Sequence, residues 1–382
     1  MRDTDPDERD GDASGTSLTF GIEEEFLIVD ARDGRPAPVN ARLTEALGEG
    51  AGGAAEYTVE LLATMMESAA GVFTRLEELR AFLAGDRKRL ARAAADLGVR
   101  LVATGTPVIG PRAPRVVSDK RRYQDMRSLY GFLVSQQETC GCHVHVGVPD
   151  RETAVGVVNW LRPWLPTLLA LSANSPFCDG VDTGYASWRT VALSRWPATA
   201  VPPYFASAAH YDEVTETLHR AGVLMRPLNP YWLARPSGRF PTVEVRAADV
   251  AATVDEAVLQ AAVTRGLVRT AGAELAGGAR APEVDGGLLE AALWTAARYG
   301  LAGPGVHPMT GRQVPAAELA QEMLDRIRPA LRELGDEEEV DRLAAAVFRT
   351  GTGADRQRAS LRGAEVTAAA GDLLDEFDIG RT

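Results

Sequence analysis

The sequence contains very little lysine and very little cysteine. Its only lysines are Lys88 and Lys120, and neither lies in a Gly-x-x-x-x-Gly-Lys segment, which excludes a P-loop nucleotide site. The cysteines are Cys140, Cys142 and Cys178, an odd number with two in one short segment. This pattern does not predict a disulfide framework, and it indicates a protein of the reducing cytoplasm.

The sequence also lacks a positive charge balance and a membrane-spanning apolar run. Its formal net charge of -12, from 53 acidic and 41 basic residues, argues against a nucleic-acid surface and against binding to anionic membranes. A hydrophobic content of 45% over 382 residues is sufficient for a large core. Residues 1–16 are rich in Asp, Gly and Ser, which predicts a disordered tail and not a signal peptide, ahead of one domain over 17–379.

Three consecutive carboxylates interrupt an apolar segment that runs from Phe20 to Asp30 and is typical of a buried strand. Because side chains alternate along a strand, Glu23 and Glu25 share one face, and Glu24 lies on the other. Adjacent buried carboxylates repel each other unless a cation or strong donors face them. The segment therefore predicts a bound cation, with a solvated acidic face of an edge strand as the alternative.

Two further segments show the same alternation. His143 and His145 share one face of the segment around Cys142, and Glu244 shares a face with Arg246 further along the chain. Three such segments predict one sheet with an apolar back and a polar front that lines a metal-binding cavity. Since most of the candidate ligands are oxygens, magnesium or manganese is favoured over zinc.

Other polar residues are candidates for the same cavity. Glu60 and Glu67 lie seven positions apart, so they share a face on a helix and are still able to converge on one ion in an extended segment. Arg122 and Tyr123 indicate either ordinary surface or a rim over an anionic ligand. Arg189 ends a long polar loop and is a candidate for an anion contact.

Strands are predicted mostly early in the chain and helices mostly late, without strict alternation, which indicates an α+β fold. The apolar period predicts helices over the following ranges: 74–97, 153–173 with a bend at Pro163 and Pro166, 254–275, 287–299, 316–334, 337–349 and roughly 355–377.

Several motifs, taken in order along the chain, resemble the type 2 glutamate-cysteine ligases, also called carboxylate-amine ligases. The resemblance rests on the segments that begin at Gly21, Arg122, Cys140, Asp182, Arg235 and Thr242, together with the spacing from Glu60 to Glu67. It extends from about Leu18 to the helical C-terminus. One departure is Leu233 after Trp232, where other members tend to have an acidic residue.

This resemblance implies a glutamine-synthetase-like catalytic domain, with a curved, mainly antiparallel sheet that forms a funnel and helices on its outer face. It implies ATP, Mg²⁺ or Mn²⁺ as cofactors, and glutamate or another carboxylate plus an amine as substrates, with a homo-oligomer as one option. Metal ions would be held by Glu23, Glu25, Glu60, Glu67, His143 or His145, and Glu244. Arg246, Arg235 and Arg189 would face phosphate or a substrate carboxylate, and Arg246, Arg122 and Tyr123 would contact the nucleotide.

Three alternatives to the ligase stay open on the sequence. A zinc hydrolase would use the pair His143 and His145, although a regular strand directs Cys142 away from both. A non-catalytic regulator would bind nucleotide or a small molecule without releasing ADP, but it has no use for so many acidic groups. The third alternative is a solvent-exposed polar face of the sheet that carries no binding or catalytic site.

Overall fold

A seven-stranded antiparallel sheet forms the centre of the computed structural model, which describes residues 18–48 and 55–381. The strand order is β2-β3-β1-β5-β9-β8, and β4 pairs with the end of β1. The strands of this sheet are β1 (Phe20–Asp30), β2 (Ala55–Val59), β3 (Met65–Ala70), β4 (Val99–Val102), β5 (Gly141–Gly147), β8 (Ala234–Pro236) and β9 (Thr242–Asp249). Two short hairpins are formed by β6 (Phe177–Cys178) with β7 (Val181–Asp182), and by β10 (Pro304–Val306) with β11 (Gln313–Pro315).

Helices fill most of the remaining chain. The helices before β8 are α1 (Asn40–Leu47), α2 (Leu76–Asp96), α3 (Arg121–Tyr130), α4 (Phe132–Ser135), α5 (Arg151–Leu161), α6 (Leu165–Ser172), α7 (Trp188–Leu193) and α8 (Ala208–Arg220). Those after β9 are α9 (Val254–Ala276), α10 (Gly286–Tyr299), α11 (Ala316–Leu334), α12 (Glu337–Thr350), α13 (Gly353–Ser360) and α14 (Ala370–Glu376). No helix in the described part of the chain is long and apolar enough to cross a membrane.

The apolar side chains of each alternating strand lie on the back of the sheet. Ile22 of β1, Val144 of β5 and Val245 of β9 are buried in one cluster with residues of α5, α6 and α9. Each such side chain contributes about 1.5–3 kcal/mol of burial free energy. Packing on this face fixes the strand register, because a slip of one residue would exchange the apolar and polar faces. The polar side chains of the same strands therefore lie on the front of the sheet.

The predicted fold class, an α+β protein with a mainly antiparallel sheet and helices outside it, is confirmed. The bend in the helix around Pro163 is also confirmed, since a 3₁₀ turn over Arg162–Trp164 separates α5 from α6. The single helix predicted over 355–377 is wrong. It is divided into α13 and α14, because Arg362 and Gly363 adopt positive φ values of 49° and 84°, which end a right-handed helix.

Two sequence predictions stay predictions. The disordered tail over 1–16 lies outside the described residues. The single catalytic domain over 17–379 likewise stays a prediction.

Candidate active site

The polar residues of neighbouring strands lie side by side on the front of the sheet. Glu25 of β1 is opposite Glu67 of β3, and Glu23 is opposite His143 of β5. On the other side of β5, His145 is opposite Glu244 of β9. The alternation predicted for each strand therefore produces one continuous row of ionisable groups across the sheet.

This row forms the floor of a cavity of about 390 Å³. Every one of the twelve site residues predicted from the sequence lines it: Glu23, Glu25, Glu60, Glu67, Arg122, Tyr123, His143, His145, Arg189, Arg235, Glu244 and Arg246. Glu60 and Glu67 converge because β2 and β3 form a hairpin, with Glu60 just beyond the end of β2. The open choice between a helix and an extended segment is thus decided in favour of the extended one.

Glu23 is the carboxylate that the two imidazoles stabilise. Its Oε2 lies 3.2 Å from Nδ1 of His143, and its Oε1 lies 3.3 Å from Nε2 of His145. Burial acts to raise the pKa of Glu23, but hydrogen bonds and charge interactions with His143 and His145 outweigh it and hold the pKa well below its usual range. The pKa of His143 is lowered by burial and by the charge of Arg246. The imidazoles of His143 and His145 therefore favour the ionised form of Glu23.

Glu25, Glu60 and Glu67 form a like-charged group at the other end of the row. Burial, followed by the charge of Glu25, raises the pKa of Glu60 to about 8. Burial and the charges of Glu60, Glu23 and Glu25 raise the pKa of Glu67 well above its usual range. Among the described residues, neither Glu60 nor Glu67 forms a salt bridge, and the only ion-pair partner of Glu25 is His143, at 3.7 Å. The described side chains supply this group with no arginine or lysine ion pair, so protonation of Glu60 and Glu67 relieves the repulsion.

Glu244 is balanced by two arginines. Arg235 binds it with both Nε and Nη2, at 2.8 and 3.0 Å, and Arg246 donates to it from Nη1. Burial acts to raise the pKa of Glu244, but Arg235 and Arg246 outweigh it and hold the pKa well below its usual range. Nη1 of Arg246 also lies 3.3 Å from Nδ1 of His143, so this arginine joins β9 to the centre of the row.

The donor atoms fit divalent metal ions. Ligand atoms of Glu23, His143 and Glu244 lie within 4.8 Å of one another, and so do those of Glu25, Glu67 and His143. Nε2 of His143 and Nε2 of His145 are both buried without a hydrogen-bond partner in the described structure, which is the state expected of a ligand atom. His145 belongs to neither set. Carboxylate oxygens with a single imidazole favour Mg²⁺ or Mn²⁺ over zinc.

The cysteines lie away from this donor set. Cys142 packs at the back of the sheet with Ile22, as the alternation predicts, and Cys140 is buried in a second apolar cluster. Burial raises the pKa of each of these two thiols well above its usual range. Thiolate ligands are therefore not supplied to the cavity by Cys140 or Cys142.

Sequence reasoning missed the residues that hold the loop of Glu60 in place. The side-chain amide of Asn40 donates to the carbonyls of Leu62 and Met65 and to Oγ of Ser118, at 3.0–3.2 Å. The Ser118 hydroxyl in turn donates to the carbonyl of Glu60. The longest of these contacts joins residues that are 78 positions apart in the sequence, so no local sequence pattern predicts it.

Part of the cavity wall was also missed. Lys120, Trp196 and Tyr231 line it beside the predicted residues. Lys120 was identifiable, since it is one of two lysines and directly precedes the segment of Arg122 and Tyr123. Leu233, the departure noted in the sequence, is buried in the main core and does not line the cavity.

A second cavity of about 400 Å³ adjoins the first at the start of β1. Its walls are mostly apolar, with Phe20 and Ile22 among them. It shares six residues with the first cavity: Glu23, Thr58, Glu67, His145, Arg239 and Phe240. Neither Arg122 nor Tyr123 lines it. Glu23 and Glu67 of the ionisable row thus border an apolar compartment, and Glu60 does not.

Comparison with known proteins decides the family. The profile of glutamate-cysteine ligase family 2 matches residues 19–375. The chain belongs to this family. It is similar to a protein of Saccharopolyspora erythraea provisionally named glutamate–cysteine ligase 2-2, with 47% identity over 93% of this chain and 91% of that protein. A protein of Salinispora arenicola provisionally named glutamate–cysteine ligase 2 is 47% identical over 90% of each chain.

Solved structures show the same fold at low sequence identity. Glutamate–cysteine ligase from Francisella tularensis in complex with AMP matches with a TM-score of 0.68 and 15% identity, over 96% of this chain and 89% of that one. A bifunctional glutathione synthetase from Pasteurella multocida matches with a TM-score of 0.67 and 15% identity, over 94% of this chain and 52% of that one. The family member described here is a ligase that uses ATP to form carbon–nitrogen bonds.

Proposed function

We propose that this family member activates the γ-carboxylate of glutamate as an acyl phosphate and joins it to an amine, giving a γ-glutamyl amide. The observation that carries the proposal is the row of carboxylates formed by buried Glu25 and partly buried Glu60 and Glu67, which the described side chains leave without an arginine or lysine ion pair. Such a group becomes fully ionised near neutral pH only when cations are bound beside it. Phosphoryl transfer from ATP is a reaction that requires cations at this place.

Two groups of residues would hold the metal ions. Glu23, His143 and Glu244 form one, and Glu25 and Glu67 form the other, with Glu60 beside them. Bound divalent ions would supply positive charge to the phosphate oxygens and to the carboxylate that is phosphorylated. We assign the metal contact to His143 because both groups of converging ligand atoms include it and neither includes His145.

The second cavity suits the nucleotide base. Its apolar walls provide area for a flat ring, and it opens onto Glu23 and His145, where the phosphates would enter the ionisable row. The half-exposed ring of Phe240 lines both cavities, with the guanidinium of Arg239 over it at 4.9 Å, so the two side chains together offer a stacking surface at their junction. The acid and the amine then occupy the rest of the first cavity, beside Glu60. Because Arg122 and Tyr123 line the first cavity and not the second, we assign them to these substrates and not to ATP.

The side chains of the cavity orient the reactants. Arg246 is held between Glu244 and His143 and presents positive charge where the γ-phosphoryl group meets the carboxylate. The carboxylate oxygen attacks phosphorus and ADP leaves. The amine nitrogen then attacks the acyl carbon, phosphate leaves, and the amine loses a proton.

An ADP-release assay tests this proposal. The purified protein is incubated with Mg²⁺, ATP, glutamate and a panel of amino acids and amines that includes cysteine, and products are identified by mass spectrometry. We expect ADP only when glutamate and one acceptor are both present, together with a γ-glutamyl product. If no combination of acid and amine releases ADP, or if ADP forms without an amide, the proposal is wrong.

A zinc hydrolase is the alternative that the same experiment addresses. Added Zn²⁺ would then support hydrolysis of an amide or ester without nucleotide. The oxygen-rich donor set and the location of Cys140 and Cys142 outside the cavity argue against it.

A further inference from the structure

Arg189 is a buried cation whose polar atoms are only partly used. Its side chain is 3% exposed, and it lines the first cavity. Nη2 donates to the carbonyl of Arg246 at 3.3 Å, whereas Nε and Nη1 have no hydrogen-bond partner in the described part of the chain. A buried guanidinium with unused donors that faces a cavity is a site for an anion.

Gly141 allows this guanidinium to lie against the sheet. A Cβ atom at position 141 would be 2.2 Å from Nη2 of Arg189 and 2.7 Å from its Cζ. No larger residue fits without displacing the arginine. The backbone N–H of Gly141 also donates to Oε2 of Glu25 at 2.6 Å, so the guanidinium lies directly beside the metal-binding end of the row.

Asp249, at the end of β9, organises the segment that carries Arg189. It is fully buried, and it accepts hydrogen bonds from the hydroxyls of Ser175 and Ser187 at 2.7 and 2.9 Å and from the backbone N–H of Asn174 at 2.8 Å. Its Oδ1 lies 3.8 Å from Nη1 of Arg189. The two hydroxyls and the backbone N–H donate to this carboxylate, and the guanidinium of Arg189 lies beside it as an ion pair without a hydrogen bond.

The two serines connect Asp249 to the backbone of the first turn of α7. The hydroxyl of Ser175 accepts from the backbone N–H of Arg189 at 3.0 Å. The hydroxyl of Ser187 accepts from the backbone N–H of Thr190 at 3.3 Å. Asp249 therefore fixes both the backbone and the charged end of Arg189, although it does not itself line the cavity.

We propose that Arg189 binds a carboxylate of the acid substrate and that Asp249 is the residue that positions it for this task. The inference deepens the proposed ligase function and rests on it. Arg189 lines the first cavity and not the second, so it lies in the compartment assigned to the acid and the amine and outside the one assigned to the nucleotide base. The flat fork of donors on a guanidinium matches the two oxygens of a carboxylate.

The test compares Asp249→Asn, Arg189→Lys and the double variant with the wild type. We expect Asp249→Asn to raise the KM for glutamate, and the dissociation constant for glutamate measured by calorimetry, by about tenfold or more, because a displaced Arg189 loses a charge-assisted hydrogen bond to the glutamate carboxylate. The KM for ATP should stay near the wild-type value. The double variant should bind glutamate no more weakly than Arg189→Lys, because Asp249 acts through Arg189.

Asp336→Asn is the matched control. Asp336 is also a buried aspartate, 3.0 Å from Arg265, but neither residue lines the cavity. Its variant should lower thermal stability without changing glutamate binding. If Asp249→Asn changes stability alone, or if its effect on glutamate binding adds fully to that of Arg189→Lys, the positioning role is wrong.

The calorimetric measurement separates this inference from the ligase proposal. If the wild type binds glutamate through Arg189 but never releases ADP with any acceptor, the proposed reaction fails and the binding role stands. If the wild type turns over and Arg189→Lys leaves glutamate binding unchanged, the carboxylate contact is wrong and the ligase stands. Failure of the wild type to bind glutamate at all also overturns the contact.

Discussion

Three consecutive glutamates of β1 lie in two opposite electrostatic environments. Glu24 faces the back of the sheet, where Nη2 and Nε of Arg87 donate to its two oxygens at 2.5 and 3.2 Å. Arg87 is itself fully buried and also donates to the carbonyls of Ala251 and Ala252. Glu23 and Glu25 face the front, where no arginine or lysine in the described structure forms a salt bridge with them.

This contrast distinguishes a structural charge from a functional one. At the back, α2 provides the counter-charge and the pair is complete within the fold. At the front, the sheet concentrates carboxylates and leaves their counter-charge to come from outside. The difference cannot be one of burial alone, because Glu24 and Glu25 are both buried.

The largest effect on stability should follow from breaking the back-face pair. Glu24→Gln leaves the guanidinium of Arg87 buried beside a neutral group, which costs about 3–5 kcal/mol of the free energy of unfolding. Denaturant titration measures this loss in the free energy of unfolding. Glu25→Gln should instead leave stability unchanged or raise it, since it removes one of several like charges. Equal losses in both variants would show that the two faces do not differ.

The largest effect on activity should follow from the front. Glu25→Gln removes a charged ligand from the Glu60 end of the row, and we expect ADP release to fall by about a hundredfold or more, in line with other electrostatic catalytic groups. Glu77→Gln, on the exposed first turn of α2, is the control and should keep wild-type activity. Activity of Glu25→Gln within a few fold of wild type would contradict the metal role.

The alternation of single strands was sufficient to predict the front face. The pairs Glu23 with Glu25, and His143 with His145, follow from the two-residue period of a strand, and the apolar back fixes which face is which. The same rule placed Glu24 on the back, yet it gave no information about its partner. Arg87 lies 63 positions away on a helix, and only tertiary packing brings the two together.

The supporting residues escaped sequence analysis for a related reason. Asn40, Ser118 and Asp249 act through hydrogen bonds to distant backbone or hydroxyl groups, and these contacts depend on how loops cross the sheet. The apolar second cavity likewise forms where separate segments of the chain meet. A residue type and its spacing predict which face a side chain takes, but not which loop will lie over it.

A smaller effect should come from adding the metal ions themselves. Because the front face is short of positive charge, Mg²⁺ or Mn²⁺ at ten times its dissociation constant should stabilise the metal-free wild type by about 1.4 kcal/mol. Thermal unfolding after chelator treatment measures this. The stabilisation should be weaker in Glu25→Gln and should persist in Glu24→Gln. Equal responses in wild type and Glu25→Gln would place the ions elsewhere.

The smallest effect is expected when the whole back-face pair is replaced. The double variant Glu24→Leu with Arg87→Met removes both charges and substitutes apolar side chains, a change that is often neutral or stabilising for a buried pair. Its free energy of unfolding should lie within about 1 kcal/mol of wild type, and ADP release should be retained, because the front face is untouched. A double variant as unstable as Glu24→Gln would mean that the back-face pair contributes more than mutual neutralisation, through the contacts of Arg87 with Ala251 and Ala252.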